Sequence, residues 1–513
     1  MIIIYHNKST VTEVVSSSID NFVNQQNQNI ASILLSIAAN NDDEILVWCH
    51  ESLRHDLNIE HIEDMFHHKR FLFSYAPFLG NYFNRELGYI EDTPFIKVNK
   101  TARYATWQMS CVVGAVHASV LNACRNDLQT TGNFDYFLNS FAKRAMIFGL
   151  LCYSEPRLLK NISSVQPLQQ SGLNQLFRFT KQHYRMRWIF LLFFNLVVYE
   201  KRFPFFAFLT SLFYKKRSFK AEYIDSIVLN SNKKIIDKGT IDILIPTIGR
   251  KPYLLNVLNN LAAQTHLPTN VIIVEQNPLP NATSELDYID NLSWPFKIKH
   301  HFTHQAGACN ARNIALELVE SEFVFFADDD IVFENDLIEK VLHSFQITGN
   351  EVLLVAIHLA NEKIVVQSPK QFLAFGTCHA FVKSECLKGL KFNMALEFGY
   401  GEDADFGMQL KNRGYDFLYL STLTILHLKA PMGGFRTKPK LKWDNDIIEP
   451  KPSPTVMLYK QMYFSTEQIL SYKLTIFLKN INSNFLKNPF KYYRIFNQKW
   501  KRSQYWANKL NEE

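Results

Sequence analysis

Short apolar segments alternate with longer amphipathic segments in the C-terminal half of the chain. Segments with the composition of strands occur at 241–245, 271–275, 296–302 and 323–327, and segments with a helical period at 253–264 and 307–319. Strands and helices that alternate in this way are typical of a parallel sheet covered by helices. Ligands bind such sheets at the carboxyl ends of the strands. We therefore expect an α/β fold with functional residues directly after strands.

The chain is too long for a single hydrophobic core. Its 513 residues exceed the length at which single cores stop growing, so several domains are expected. The polar, basic segment 216–238 separates the alternating unit from the residues before it, and we place a boundary there. The predicted division is an N-terminal α/β domain at 1–160, a helical apolar and basic connector at 161–238, a second α/β domain at 239–435, and a loop with basic aromatic helices at 436–513.

The N-terminal half carries a weaker version of the same pattern, with strand-like segments at 2–5, 45–49 and 70–75. Residues 111–122 align with residues 376–387, and the same offset places Gly149 over Gly414. That offset also places apolar residues of the first half over the acidic pair 402–403. One interpretation is an internal duplication whose first copy keeps the packing and lacks the chemistry. The other is two unrelated α/β units with similar apolar patterns.

The composition excludes several classes of protein. The chain is 47% hydrophobic and 20% charged, which is typical of globular domains rather than disordered chains. Its seven scattered cysteines form no C-x-x-C pair, which indicates neither a disulfide framework nor a zinc site. The apolar start is too short for an export signal, and charges and Pro204 interrupt the apolar stretch 188–214. We therefore expect a cytoplasmic protein without a transmembrane span.

Lysine and arginine alternate with aromatic residues near the C-terminus, and no acid occurs from Ser471 to Leu510. This pattern favours either a peripheral anchor on the inner face of a membrane or an amphipathic helix packed on its own domain. The apolar stretch 188–214 leaves the same two alternatives. No nucleic-acid-binding module accompanies the positive charge, so nucleic acid is not an expected partner.

Three consecutive carboxylates, Asp328 to Asp330, follow the apolar segment 323–327. Mutual repulsion and burial disfavour their charged forms unless a cation neutralises them. Oxygen ligands of this kind suit Mg²⁺ or Mn²⁺. The alternative is a solvated acidic turn before the next helix.

Three further segments carry candidate functional residues. Residues 398–406 form a glycine-rich loop that leads into a helix with acids in its first turn. His427 ends a predicted strand at 422–428, where it either completes a metal site or is a packed histidine. Residues 307–313 begin a helix whose small residues and free N–H groups suit phosphate or ribose, and Arg312 adds a bidentate donor.

Taken in order, these motifs resemble those of the family 2 inverting glycosyltransferases, which have the GT-A fold. The five matching motifs are IDILIPTIGR together with VIIVEQN, then GACNARN, FFADDDI, FGYGEDADF and, last, His427. The resemblance covers residues 240–430, and five motifs in order are more specific than any one of them. It implies that 239–435 is a GT-A catalytic domain, and under the duplication interpretation the first half is then a degenerate GT-A-like copy.

The resemblance also implies roles for individual residues. Those implied at the nucleotide-sugar donor are Pro246, Thr247, Arg250, Glu275 (where the family more often has Asp), Gly307, Arg312, Asp328 and Asp329. Those implied at the metal, Mn²⁺ or Mg²⁺, are Asp328, Asp330 and His427. Asp403 is implied as the base that deprotonates the acceptor, with Glu402 beside it. The loop 429–436, with Gly433 and Gly434, is implied to close over the donor.

The resemblance therefore implies an enzyme that transfers a sugar from a nucleotide sugar to a glycan or lipid-linked acceptor, in surface polysaccharide assembly. A single displacement needs one base at the acceptor and a Lewis acid at the leaving diphosphate. Two other functions stay open. One is a scaffold that binds a nucleotide sugar without turnover, and the other is a nucleotidyltransferase of similar fold.

Overall fold

The computed structural model describes residues 1–16, 28–77, 81–130, 132–161, 170–430, 440–481 and 488–512. The chain forms two compact units. Unit 1 comprises Met1–Asn232, Ser368–Gln371 and Ser465–Ile476, and unit 2 comprises Lys233–Gln367, Phe372–Phe464 and Phe477–Glu513. The finer division of the sequence at 160, 238 and 435 stays a prediction.

Unit 1 is an α/β unit built on one mixed sheet. Its described strands are β1 (Ile2–Asn7), β2 (Thr10–Ser16), β3 (Ile45–His50), β4 (Phe71–Tyr75), β5 (Tyr104–Ala105), β6 (Val113–His117) and β7 (Leu151–Ser154). Their order across the sheet is β2-β1-β3-β6-β4-β7-β5. Its described α-helices are α1 (Ile30–Asn40), α2 (Ile59–Met65), α3 (Ala118–Cys124), α4 (Phe134–Ala145), α5 (Leu173–His183), α6 (Arg187–Glu200), α7 (Phe205–Ser211) and α8 (Glu222–Asp225).

Unit 2 is built on a second mixed sheet. Its described strands are β8 (Ile241–Thr247), β9 (Asn270–Gln276), β10 (Lys297–Thr303), β11 (Phe323–Phe326), β12 (Ile331–Phe333), β13 (Val352–His358), β15 (Ala380–Lys383) and β16 (Phe417–His427). They follow the order β10-β9-β8-β11-β15-β13-β16-β12. Its described α-helices are α9 (Lys251–Ala262), α10 (Tyr288–Asn291), α11 (Ala308–Glu317), α12 (Leu337–Thr348), α13 (Glu402–Asn412), α14 (Pro454–Tyr463) and α16 (Pro489–Glu512).

Two elements cross the division between the units, namely β14 (Lys370–Phe372) and α15 (Thr466–Lys479). Within unit 2, α16 packs against α14. The residues that α16 buries are spaced at intervals of about one helical turn, at Phe496, Trp500, Ser503, Ala507 and Leu510. Of the two alternatives predicted for the basic C-terminal sequence, this arrangement is the amphipathic helix packed on its own domain. Among the described residues, no helix combines the length and the apolar character needed to cross a membrane.

The predicted strands and helices of the C-terminal half are present in unit 2, and β10, β9, β8 and β11 are parallel neighbours as expected. The sheet departs from a purely parallel one at β15, which runs antiparallel between β11 and β13. Parallel strands that follow each other in the chain need a crossover connection, which is usually helical. The residues between β13 and β15 contain no α-helix, so this antiparallel arrangement is the simpler one.

Aromatic packing fixes the start of α13 over the end of β11. Phe406 of α13 is fully buried, and its ring stacks on Phe392 with 4.2 Å between the ring centroids. The same ring lies 5.9 Å from that of Phe326, the last residue of β11. These contacts place the acids of α13 beside the three aspartates that follow β11.

Five strands of unit 1 repeat the arrangement of five strands in unit 2. In chain order, β1, β3, β4, β6 and β7 correspond to β8, β11, β13, β15 and β16. The neighbour pairs β1–β3 and β4–β7 are parallel, as are β8–β11 and β13–β16. β6 is antiparallel to both of its neighbours, as is β15. Shared order and shared direction at every step favour the internal duplication over two unrelated units.

The aligned residues agree with this correspondence. Ala115 of β6 pairs with both β3 and β4, and its aligned residue Ala380 of β15 pairs with both β11 and β13. Gly149 and Gly414 each have a positive φ, at 104° and 96°, in the turn that follows α4 or α13. Such a φ favours glycine because other residues are strained there. The offset predicted from sequence therefore holds at these positions.

The same offset is wrong at the start of the aligned helices. α4 begins at Phe134 and α13 at Glu402, so Asp135 and Asp403 each occupy the second helical position. An Asp135 carboxylate oxygen accepts a hydrogen bond from the Cys111 N–H at 2.8 Å, and Asp403 accepts one from the Thr377 N–H at 3.2 Å. When the loops before two aligned helices differ in length, the helices begin at a different offset from the one that aligns the strands. The first copy therefore keeps a carboxylate where the sequence alignment placed apolar residues.

Gly114 tests the packing of the unit 1 sheet. A Cβ atom at this position would overlap the buried Trp48 ring and the Phe73 carbonyl oxygen. We expect Gly114→Ala to lower the free energy of unfolding of unit 1 by about 3 kcal/mol, because the close-packed core cannot move aside cheaply. Urea unfolding followed by intrinsic fluorescence measures this. Gly172→Ala, at an exposed helix start, is the control and should cost under about 1 kcal/mol; equal stability of both variants would contradict the packing.

Candidate active site

The carboxyl ends of β8 and β11 bring Thr247 and Arg250 to the middle aspartate of the triplet. The two strands are parallel, with Leu244 opposite Phe326, so their following residues meet at one edge of the sheet. The Thr247 hydroxyl donates to an Asp329 carboxylate oxygen at 2.7 Å, and Arg250 forms an ion pair with the same carboxylate. Asp329 is therefore held by protein groups on both of its oxygens.

The two outer aspartates face His427. β12 follows the triplet and pairs antiparallel with the end of β16, with Ile331 opposite His427. One ligand atom each from Asp328, Asp330 and His427 lies within 4.8 Å of the others. Asp330 is anchored by the Ala430 N–H, which donates to its Oδ2 at 2.9 Å. The three side chains implied as metal ligands thus converge on one point.

The electrostatics of this group reflect burial and mutual contact. Burial raises the pKa of Asp328, and it raises the pKa of Asp329 to about 6. Burial would also raise the pKa of Asp330, but the His427 imidazole and the Ala430 N–H outweigh it and lower that pKa. The contact with Asp330 raises the pKa of His427 in turn. The site therefore favours a cation near Asp330.

Arg312 lies between the triplet and the acids of α13. It is 9% exposed, with Nη2 at 3.9 Å from Asp328 Oδ1 and Nη1 at 3.6 Å from Asp403 Oδ1. Burial alone would lower the pKa of Arg312, but the carboxylates of Asp403, Asp328 and Glu402 outweigh burial and raise it. One guanidinium is therefore shared by the two acidic groups of the site.

The acids of α13 differ in their surroundings. Asp403 is held by Thr377, whose hydroxyl donates to Oδ1 at 2.9 Å. Burial, followed by repulsion from Asp403, raises the pKa of Glu402. The backbone turns into the helix at Gly401, which has φ 113° and packs near the Tyr459 side chain. Glycine is favoured there because the turn is left-handed.

Glu397 is a site residue that the sequence motifs did not reveal. Its carboxylate accepts hydrogen bonds from the N–H groups of Cys309 and Asn310, at 3.1 and 2.8 Å, at the start of α11. Gly307 has φ 142°, and a Cβ atom there would overlap the Glu397 carboxylate. A negative group is favoured at a helix N-terminus. The only sequence signal was an acid next to the glycine-rich loop, which has no defined pattern.

Glu275, like Asp403, does not line the cavity at the ends of β8 and β11. It is 4% exposed, and its carboxylate accepts hydrogen bonds from Ser284, from the Glu285 N–H and from His300. These contacts fix the segment after β9. A contact between Glu275 and a nucleotide base stays a prediction.

A cavity of about 630 Å³ opens at this edge of the sheet. The predicted site residues that line it are Pro246, Thr247, Arg250, Gly307, Arg312, Asp328, Asp329, Asp330, Glu402 and His427. Its volume is in the range of small-molecule and cofactor sites. Lys429 and Ala430 also line it, whereas Gly433 and Gly434 lie outside the described residues.

Several curated proteins named for polymer biosynthesis resemble part of the chain. The minor teichoic acid biosynthesis protein GgaB of Bacillus subtilis is 25% identical over 183 residues, 32% of this chain and 20% of that protein. The poly(ribitol-phosphate) β-N-acetylglucosaminyltransferase TarS of Staphylococcus aureus is 26% identical over 25% of this chain and 22% of TarS. The succinoglycan biosynthesis protein ExoM of Rhizobium meliloti is 25% identical over 31% of this chain and 57% of ExoM. The chain thus spans less than two thirds of each relative.

A crystal structure of S. aureus TarS residues 1–349 with UDP-GlcNAc aligns with 46% of this chain and 70% of that one, at 18% identity and a TM-score of 0.34. Residues 242–398 match the family described as glycosyl transferase family 2. This match spans β8 to the turn before α13 and includes the aspartate triplet. The C-terminal half of the chain therefore contains a domain that matches glycosyl transferase family 2.

Proposed function

We propose that this chain is a metal-dependent, inverting glycosyltransferase. It transfers a sugar from a nucleotide-sugar donor to a glycan or lipid-linked acceptor in cell-surface polysaccharide assembly. The observation that carries the proposal is the position of Arg312 between Asp328 and Asp403. Arg312 lines the cavity and joins the group of three candidate metal ligands to a candidate base, as a one-step transfer requires.

The donor side of the site fits Mn²⁺ or Mg²⁺. Asp328, Asp330 and His427 would hold the ion, since two carboxylates and an imidazole suit a cation of this class. Asp330 Oδ1 is buried without a hydrogen bond from any described residue, although His427 Nε2 lies 3.2 Å away. When bound, the ion supplies Lewis-acid stabilisation of the leaving diphosphate. Arg250, Thr247 and Asp329 position this group and line the nucleotide pocket.

The acceptor side is assigned to Asp403. Its carboxylate is oriented by Thr377 and lies at the start of a helix, beside Arg312. In a single displacement, the bond between the anomeric carbon and the diphosphate oxygen breaks while the acceptor oxygen bonds to that carbon. The acceptor hydroxyl proton passes to Asp403, and the configuration inverts. Glu402 lines the cavity next to it and contacts the acceptor or donor sugar.

The names of the relatives support the proposed acceptor class. GgaB is named for minor teichoic acid biosynthesis, TarS for transfer to poly(ribitol-phosphate), and ExoM for succinoglycan biosynthesis. All three names describe the assembly of a carbohydrate-containing polymer. The proposal extends that class to this chain, together with a peripheral contact with the membrane that would carry a lipid-linked acceptor.

The metal assignment predicts a difference between the aspartates of the triplet. Asp330→Ala and His427→Ala should weaken Mn²⁺ binding at least about tenfold, because each removes a ligand. Asp329→Asn is the matched control, since Asp329 is turned towards Thr247 and Arg250, and it should change Mn²⁺ affinity much less. Calorimetric titration of Mn²⁺ into the full chain measures this, and equal loss in all three variants would contradict the ligand set.

The pKa of His427 adds a pH dependence to Mn²⁺ binding. Because contact with Asp330 raises this pKa, protonation of the imidazole competes with the ion up to a higher pH than in an ordinary histidine. Mn²⁺ affinity should therefore fall as the pH is lowered through the raised pKa. The dependence should weaken in His427→Ala. An identical pH profile in both proteins would remove His427 from the ligand set.

The base assignment predicts that binding and turnover separate. Asp403→Asn should lower the transfer rate at least about a thousandfold, since no other group takes the proton, and should leave nucleotide-sugar binding nearly unchanged. Glu402→Gln is the neighbouring control and should keep more of the transfer rate. Transfer is measured with radiolabelled donor, and binding by calorimetry. Retained transfer in Asp403→Asn would contradict the assignment, as would loss of binding together with transfer.

A further inference from the structure

Helices α6 and α7 of unit 1 are apolar on two faces, and only one of these faces is covered. Ile189, Leu192 and Leu196 of α6 and Ala207 of α7 are buried in unit 1. The opposite face exposes large apolar side chains at Phe190, Phe194, Val198, Phe203, Phe205, Phe206, Leu209 and Phe213. Phe206 is 81% exposed and Phe213 87%. A helix that is apolar all round is normally buried, and a patch of this size marks an interaction surface.

The charge around this aromatic face is strongly positive. Residues 185–216 contain six lysines and arginines, at Arg185, Arg187, Lys201, Arg202, Lys215 and Lys216, and one acid, Glu200. All six cations are exposed, although Arg202 forms an ion pair with Glu86, and the Glu200 carboxylate is paired with Arg85. The cations precede α6, separate α6 from α7, and follow α7, so they border the aromatic face at both ends. Aromatic side chains bordered by lysine and arginine fit the interface of an anionic bilayer.

A cationic cavity of about 280 Å³ lies directly after α7 in the chain. Its lining includes four cations, Arg144, Lys215, Lys216 and Arg217, and one acid, Asp127. Gln182 of α5 also lines it, and α7 packs against α5. The cavity therefore begins within two residues of the exposed Phe213. Its excess of positive charge suits a phosphate group.

Arg144, which is buried, and Arg217, which is partly exposed, donate no hydrogen bond to a carboxylate among the described residues. Arg144 is 7% exposed and donates to the carbonyl oxygens of Ser140, Asp127 and Ser218 rather than to a carboxylate. Arg217 donates to the Ser140 hydroxyl and the Gln129 side chain, and its Nε is buried without a described partner. Two uncompensated guanidinium groups this close together repel each other, so a bound anion would stabilise both.

We infer that unit 1 docks on an anionic lipid bilayer, with Phe206 and Phe213 in the interfacial region and a lipid phosphate in the cavity at Arg144 and Arg217. The phosphate belongs either to a bulk phospholipid or to a lipid-linked acceptor, and both present the same group. Only the lipid-linked acceptor in this inference rests on the proposed function. Binding to the bilayer itself is measured without sugar transfer.

The test is co-sedimentation of the full chain with lipid vesicles. Vesicles of phosphatidylcholine with phosphatidylglycerol should bind the chain at least about tenfold more tightly than phosphatidylcholine alone, and salt should weaken the binding. Phe206→Ser with Phe213→Ser should lower affinity at least about tenfold, because the aromatic anchors are lost. Lys216→Gln with Arg217→Gln should remove the preference for the anionic lipid. Equal binding to both vesicle types would overturn the inference, as would unchanged binding by the phenylalanine variant.

Matched controls separate docking from folding. Phe490→Ser and Lys363→Gln change an exposed phenylalanine and an exposed lysine of unit 2, and both should bind vesicles like the unchanged chain. The thermal unfolding of all variants is compared, and Phe206→Ser alone provides a milder change where the double variant unfolds. Self-association through the phenylalanine face, without vesicle binding, would assign this face to a second copy and overturn the inference.

Two further arms identify the phosphate and protect the proposed function. Phosphatidylcholine vesicles doped with a polyprenyl phosphate should bind the chain through the same cavity, and stronger binding than with phosphatidylglycerol would identify the lipid-linked source. Hydrolysis of a nucleotide-sugar donor is measured in the same variants and should be unchanged. If the unchanged chain hydrolyses the donor but does not bind vesicles, the inference is overturned and the proposed function stands.

Discussion

The burial of the Arg312 guanidinium between two groups of acids is the constraint on which the site depends. Asp328 follows the central strand β11, and Asp403 begins α13, so their carboxylates would repel each other without a cation between them. Arg312 supplies that cation at 3.9 and 3.6 Å, and Phe392 covers its other side. Removing one partner of a buried charge group leaves the rest uncompensated, at a cost of several kcal/mol. The same guanidinium therefore holds the sheet edge and the helix start in one geometry.

Much of this site follows from local sequence, because strands, helix starts and acids at strand ends have short-range patterns. The aspartate triplet and the helix at Gly307 were predicted in this way. The contact of Asp330 with His427 depends on the register of Ile331 opposite His427, which is a long-range pairing that spacing alone does not fix. Glu397 was missed for a related reason, since its partners are backbone N–H groups far away in the chain.

The comparison between the units shows what the first copy kept and what it changed. Val47 pairs with Ala115 of β6, and Phe326 pairs with the aligned Ala380 of β15, so Val47 corresponds to Phe326. Counting two and three residues on from each, Cys49 and His50 occupy the positions of Asp328 and Asp329. Burial raises the pKa of the Cys49 thiol to about 12, so it stays neutral and is a poor ligand for a hard cation. Among the described residues, the group of three side chains that could bind a metal ion is Asp328, Asp330 and His427, in unit 2. Unit 1 has the corresponding sheet strands, and its helices α6 and α7 carry the aromatic face.

The central claim is that the family 2 domain turns over a nucleotide sugar with the help of a divalent ion. The most direct measurement incubates the full chain with a panel of nucleotide sugars, with Mn²⁺ or with a chelator, and follows the release of nucleoside diphosphate. The account predicts slow release from one donor in Mn²⁺, thermal stabilisation by the same donor, and neither effect with the chelator. Release of pyrophosphate, or binding of a donor without any release in Mn²⁺, would contradict it.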